Sequence, residues 1–441
     1  MATTAPTRLL STSLTAGKAA VPTVVGGDGI HFELKDGRRV IDASNTAAPL
    51  GHRHPEIVEA VRAAADAPVV NEGWGWWERE AAAEDLIRIG FQDEEWIGAV
   101  RFFISASEAN DVALALCQAL TGRRDLATRL RAYHGGAGLA RDMTVQPQWH
   151  GGLSSLEGGV APAPPMVPVH TIAAPTSGRI TGQADPTLAD DGWVADATEK
   201  LSKSAAVILD YSQGGIYHAP HYQDRVAAIA RETGTIWIAD ETVTGFGRVG
   251  GWQQFHRGDS RPDMVTMGKS LAAGGAAAGA LLISKQMLER LSGKAWQTYS
   301  TFRGHPIEVA AIRAHLKVAE RDRVHERATE LDAVMEEQMR LIAEAHPSVR
   351  RIDGRGLHWT VELHGPDWRT WKGEEAEPLA SRVAARALEA DVLITTSGEQ
   401  TSLFIAPPLI AEADDIKAIA AALDHGLAVA DAELERGGEG A

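Results

Sequence analysis

TIWIADETVTGFGRVG (235–250) and, shortly after it, DMVTMGKS (263–270) decide the fold of this 441-residue chain. Each begins with a short apolar run, one ending at Asp240 and the other just before Lys269. Runs of that length without polar alternation read as strands buried on both faces, the mark of a mostly parallel sheet covered by helices. VRFFI (100–104), ATRLRAY (127–133), AAVILDY (205–211) and AGALLIS (278–284) read the same way, and the stretches 107–122 and 222–233 read as helices between them. The centre of the chain is therefore an α/β domain. Segment 145–200, rich in Pro, Gly and Ala, is its least readable part.

On the N-terminal side, residues 1–30 read as a loosely ordered lead-in, and IHFELKDGRRVIDAS (30–44) as a hairpin about Asp36-Gly37. EIVEAVRAAAD follows as a helix with Pro55 near its first position, and 78–90 as a second helix. Past 306, helical patterns at 306–322, 325–345, 377–389 and 411–435 surround the strand patterns GLHWTVEL (356–363) and SLFIAPPL (402–409). Helices and strands segregated in this way indicate a smaller α+β domain. The expected division is 1–55 as an N-terminal segment contributing to the small domain, 56–310 as the large domain and 311–441 as the small domain.

Composition narrows the function. Lys and Arg number 43 against 59 Asp and Glu, a net charge of −16, which argues against a nucleic-acid-coating role. With 44% hydrophobic and 23% charged residues the chain reads as soluble and globular. Cys117 is the only cysteine, so neither an internal disulfide nor a cysteine-based zinc site is expected, and no metal. No signal-type apolar region and no long apolar span is present, so the expected location is the cytoplasm, without membrane attachment.

Four features carry chemistry, and each has a plain structural alternative. Asp240 ends a parallel strand, where open α/β sheets bind ligands; it could equally cap a helix or a turn. Lys269, hemmed by small residues, would be desolvated and so freed as an amine nucleophile; it could equally snorkel to the surface. SASEAN (105–110) places Ser105, Ala106 and Ser107 at a strand-to-helix junction, a phosphate site or an ordinary Ser cap. Tyr133-His134-Gly135 could set an aromatic ring against a planar group, or bury a core tyrosine. Gly245-x-Gly247-x-x-Gly250 matches a dinucleotide fingerprint by letter only, because ETVT separates it from the strand and GWQQF follows it in place of a helix.

Taken together, these residues resemble the class III aminotransferases, fold type I enzymes that use pyridoxal 5'-phosphate. The resemblance runs from LGHRHP (50–55) through SASEAN, YHG (133–135), DE-x-x-TGFGR (240–248), MGKS (267–270), TFRGHP (301–306) and GRGL (354–357) to APPL (406–409). It implies a seven-stranded-type, mostly parallel sheet in the large domain. It implies that Lys269 holds the cofactor as a Schiff base and shuttles the substrate proton. Asp240 would pair with the pyridine nitrogen, Tyr133 with His134 beside it would stack on one ring face, and Thr242 would meet the other. Ser105, Ala106 and Ser107 would bind the phosphate, joined by Thr301 from the partner subunit of a homodimer. Arg248 would orient its loop. The implied reaction moves an amino group between a small-molecule amine donor and a ketone or aldehyde acceptor. A racemase, epimerase or aminomutase on the same scaffold is the alternative.

The departures bear on the substrate. Ala106 stands where the family usually has Gly, and Asp210-Tyr211 where it has Glu-Pro. Phe404 stands where many members carry an Arg that grips the substrate carboxylate. An apolar ring cannot satisfy a carboxylate, so either the substrate lacks one there or Arg303 or Arg141 serves instead. Trp74, Trp76 and Trp77 would either line the entrance of a pocket for a bulky apolar or aromatic amine, or pack a dimer interface.

Overall fold

The strands carrying Asp240 and Lys269 lie side by side. Ile236–Asp240 and Met264–Met267 pair in parallel, with Asp240 opposite Thr266. The computed structural model describes residues 22–92, 94–146, 149, 151–154, 160–175, 179–180, 192–213, 216–219, 221–364, 377–396 and 402–438. These two strands are neighbours in a seven-stranded sheet, ordered Ile97–Phe103, Gly279–Ser284, Met264–Met267, Ile236–Asp240, Ser204–Asp210, Asp125–Arg129, Val169–Ile172. Only Gly279–Ser284 runs antiparallel to its neighbours. The edge strand Val169–Ile172 lies in the segment that was hardest to read from sequence.

Both faces of the sheet are covered, which is why its strands show no alternation. The helix Ala106–Thr121 packs Ala109, Ala113, Leu114 and Cys117 against one face. The helices Gly192–Lys203 and Tyr222–Thr233 pack Leu201, Val226 and Ile229 against the other. Ala106–Thr121 starts at Ser105, whose hydroxyl accepts from the Glu108 N–H, and stops at Gly122, whose φ of 70° closes the last turn.

The C-terminal part is built on the helices Pro306–Arg321, Val324–Ala345 and Ala413–Gly438 and on an antiparallel sheet of Val349–Arg355, His358–Leu363, Ser402–Ile405 and Thr395–Thr396. The N-terminal strands Val24–Asp28, His31–Leu34 and Arg39–Asp42 form a meander. Arg39–Asp42 also pairs in parallel with Val392–Leu393, tying the N-terminal meander to the C-terminal part.

Three local readings differ from expectation. Of the expected lead-in, residues 24–28 form a strand, while residues 1–21 lie outside the described residues. The strand expected over 127–133 ends at Arg129, because Arg131 takes a left-handed φ of 61° that turns the chain away. The helix expected over 78–90 is α-helical at Trp77–Asp85 and closes in a π turn, Leu86–Gly90. No helix among the described residues is long and apolar enough to cross a membrane.

Candidate active site

Asp240 is 4% exposed, and three donors converge on its carboxylate. Asn110 Nδ2 reaches Oδ2 at 3.0 Å, the His134 ring lies 2.7 Å from the same oxygen through Nδ1, and the Thr242 N–H donates to Oδ1 at 3.0 Å. Burial pushes this carboxyl up, but the hydrogen bonds and charge of His134 and the groups of Thr242 outweigh it, so its pKa lies below the usual value. His134 is fixed in turn by the Thr128 hydroxyl, 3.0 Å from Nε2, and by Thr144, which accepts from its backbone N–H. Asn110 sits on the helix Ala106–Thr121 and also donates to the His134 carbonyl at 2.8 Å, so helix, loop and strand end are locked to one carboxylate.

Lys269 follows the strand Met264–Met267 and takes a left-handed φ of 41°. Its neighbour Ser270 anchors the turn by donating to the Thr46 carbonyl at 2.9 Å. Desolvation lowers the Lys269 pKa against the opposing pull of Asp240 and Asp210, so the amine form is easier to reach than for a lysine in water.

The Ser105–Ser107 strap is closely held. A methyl group on Gly135 would overlap the Ser107 side chain, one on Gly268 would crowd Ala106, and one on Gly279 would strike the Ser105 backbone. The Ser105 hydroxyl is used as the helix cap, which leaves the first N–H groups of the helix free to serve an anion. These residues fit a phosphorylated pyridine aldehyde. An ionised carboxylate could pair with a ring N–H, and the N-terminal strap could take a phosphate.

Around this centre, Asp210 is held by Arg129 in a two-point ion pair, Nε to Oδ1 at 2.6 Å and Nη2 to Oδ2 at 2.8 Å. Its Oδ2 also accepts the Tyr133 N–H at 3.3 Å. Tyr133 is 39% exposed, with its ring 6.1 Å from that of Trp149, edge to face. Phe404 is half-buried with its ring edge-on to His358 at 4.9 Å, and His358 Nδ1 lies 2.6 Å from the Tyr217 hydroxyl. The structure does not offer Arg303 as a free cation: it is buried, donates to Glu108 Oε1 from Nε and Nη2 at 2.9 and 2.7 Å, and lies over the Phe103 ring. Arg141 is likewise taken, by Asp142 and by the Pro164 carbonyl at 3.0 Å. Trp76 is half-buried against Arg79, whereas Trp74 and Trp77 are exposed, as is Thr301.

The Gly245–Gly250 run forms successive turns that open no helix. Arg248 is fully buried within it and donates to the carbonyls of Leu357 and Pro407, tying the loop to the C-terminal part. Asn110, Arg129, Tyr217 and His358 were not singled out from sequence. Asn110 was within reach, since it sits four residues after Ala106 on the face of that helix that meets Asp240. The other three are marked only by partners distant in the chain.

The model of the family "Aminotransferase class-III" matches residues 15–427. The "Probable 4-aminobutyrate aminotransferase" of Bacillus subtilis is 27% identical over 428 residues, covering 93% of this chain and 92% of that one. The "Ethanolamine-phosphate phospho-lyase homolog 1" of Caenorhabditis elegans is 26% identical over 404 residues, covering 88% and 84%. The crystal structure of an S-selective transaminase from Bacillus megaterium superposes with a TM-score of 0.86 at 27% identity, covering 96% of both chains. With the family's match across nearly the whole chain and a TM-score of 0.86 over 96% of a transaminase structure, the chain belongs to the class III aminotransferases, enzymes that transfer amino groups with pyridoxal phosphate.

Proposed function

We propose that transamination here runs through Lys269 and Asp240, on a donor amine that presents an apolar group, and no carboxylate, to Phe404. The observation that carries this reading is the convergence on one buried, ionised carboxylate of Asn110, His134 and Thr242, together with a lysine whose pKa desolvation lowers. Pyridoxal phosphate, when bound, supplies an aldehyde for the donor amine and a ring that takes up the electrons of the broken C–H bond. Asp240 keeps a proton on the pyridine nitrogen. His134 and Asn110 hold Asp240 in line for that task. Lys269 Nζ would take the proton from the amine-bearing carbon of the donor and pass it on to the cofactor, not back to that carbon. Ala106 and Ser107 would hold the phosphate through their N–H groups, and Tyr133 and Thr242 would confine the ring.

On the substrate side, Asp210 is already neutralised by Arg129, and the guanidiniums of Arg303 and Arg141 are engaged by Glu108 and Asp142. None of these groups is a free cation for a carboxylate. Phe404 and the half-buried Trp76 favour an apolar or aromatic donor.

The working unit in this reading is a homodimer in which Thr301 of each copy completes the phosphate site of the other. Trp74, Trp77, Tyr299 and Phe302 support it, being 71%, 68%, 60% and 56% exposed. Arg101 ties the two segments together by binding both Glu72 and the Thr298 carbonyl. A patch of large apolar rings on one face is a surface built to be covered. The reading keeps the enzyme in the cytoplasm, where Cys117 stays a buried thiol.

The test is a half-reaction. The holoenzyme is mixed with one donor at a time, without acceptor, and the loss of its visible absorbance is followed. An aromatic or alkyl amine is expected to bleach it faster than glutamate or alanine, and Lys269→Ala is expected to abolish bleaching and change the resting spectrum. Glutamate as the best donor would overturn the Phe404 reading. A Lys269→Ala spectrum identical to wild type would overturn the Lys269 assignment.

A further inference from the structure

Behind Asp210 there is a cleft of about 40 Å³, lined by Tyr211, His218, His221, Gln254, Arg257 and Arg355. The short helical turn Gln254–Arg257 brings one guanidinium to it, and the end of the strand Val349–Arg355 brings the other. Among the described residues neither has a carboxylate within ion-pair reach. Arg257 Nη2 donates to the carbonyls of Val249 and Gly250 at 2.7 and 3.1 Å, and Arg355 lies over the Tyr217 ring, 5.0 Å from its centroid. The acid beside Arg355, Asp353, is turned to backbone, accepting the N–H groups of Tyr217 at 3.0 Å and Gly354 at 2.9 Å. Burial lowers the Arg355 pKa and the Arg257 charge lowers it further, against the opposing pull of Tyr217 and Asp353. Like charges brought together in a partly buried cleft attract a counter-ion. Of the lining side-chain atoms buried without a partner, Tyr211 Oη can donate to an anion, whereas His218 Nδ1 and Gln254 Oε1 are acceptors.

We propose that this cleft binds a small oxyanion, a carboxylate or an inorganic phosphate, between the guanidiniums of Arg257 and Arg355. The volume admits about three water-sized groups, the bulk of a carboxylate head or of a phosphate whose outer oxygens face the exposed His221. Guanidinium forks match such oxyanions two points at a time. The anion would join the large domain to a strand end of the C-terminal part. It would also sit one bond network away from the reacting centre, because His218 Nε2 donates to the Asp210 carbonyl at 2.9 Å.

Isothermal titration of sodium phosphate, and separately of sodium acetate, into the cofactor-saturated enzyme at fixed ionic strength tests this. One saturable site per chain is expected for at least one probe, and the probe that binds identifies the class. Borohydride reduction beforehand fixes the cofactor and keeps the phosphate strap filled, so a titrated phosphate reports on the cleft alone. Arg355→Gln and Arg257→Gln are each expected to weaken binding by about tenfold or more, with Arg355→Lys intermediate. No saturable binding of either probe, or binding unchanged by both glutamine variants, overturns the proposal. Should those variants fail to fold, wild-type crystals soaked in phosphate and in acetate decide it: an anion between the two guanidiniums supports the site, and water alone there overturns it.

Discussion

At Asp240 the chain concentrates hydrogen-bond donors on one acid, and the cost of losing one is calculable. Removing a hydrogen bond to a buried charged group costs about 1.5–3 kcal/mol. His134→Phe is therefore expected to lower kcat/KM by about 10- to 150-fold. The sign follows from the depressed pKa of Asp240: its ionised form is present above that pKa and is lost as pH falls through it. Without His134 the pKa rises, so the acid limb of the pH–rate profile moves to higher pH, and an unshifted limb would show that His134 has no hold on Asp240. Lys269 has the opposite sign. Its folded pKa lies below the ordinary 10.5, so the unfolded chain binds the extra proton and the cofactor-free protein gains stability as pH rises through that window. Lys269→Met is expected to melt higher than wild type near neutral pH in the cofactor-free form, the difference shrinking towards pH 10.5 in thermal melts. Asp240 and Lys269 were legible in the sequence because both stand at the ends of unmistakable apolar runs. His134 was legible as a motif letter, but its bond to Asp240 spans 106 residues and leaves no local trace.

Among the elements, the strap Ser105–Ser107 and the capped helix Pro306–Arg321 make separable predictions. Gly135 has a φ of 135° and lies against Ser107, so Gly135→Ala displaces the strap. Overpacking of about 1–3 kcal/mol should raise the cofactor dissociation constant by about tenfold, measured by fluorescence titration, with little change in the far-ultraviolet spectrum. Glu308 closes the capping box at His305, accepting its N–H at 3.2 Å. Burial pushes the Glu308 carboxyl up to about 9, against the bonds from neighbouring backbone N–H groups. An acid with a raised pKa loses stability as pH climbs from its ordinary 4.5 to that value, because the folded form must give up a proton it holds. Glu308→Gln should match wild type near pH 5 and melt higher at pH 9. Most strands and helices could be read from periodicity, since burial on both faces leaves an uninterrupted apolar run. The edge strand Val169–Ile172 could not. Among the described residues it has one neighbour, and three of its four residues are half-buried, so its composition stays mixed.

At the scale of the whole molecule, the exposed rings of Trp74, Trp77, Tyr299 and Phe302 set an expectation for assembly. Trp77→Glu is expected to shift the sedimentation coefficient from dimer to monomer and to weaken cofactor retention with it. A dimer that persists unchanged would place the contact elsewhere. The class of fold was legible because it needs only the order of elements. The ion pairs Arg129–Asp210 and Arg303–Glu108 were not, because each joins residues whose neighbourhood exists only after the sheet has closed.

That closure has a timetable. Ile41 pairs with Val392, a separation of 392 − 41 = 351 residues, and Phe103 pairs with Gly279, a separation of 279 − 103 = 176 residues. At about 5–20 residues per second on the ribosome, the N-terminal meander waits roughly 20–70 s for its last strand. During that interval the Arg39–Asp42 edge is an open template for pairing with other chains. The two arginines at the start of that edge, Arg38 and Arg39, keep it charged while it waits, and a nascent chain lacking them would be the one to aggregate.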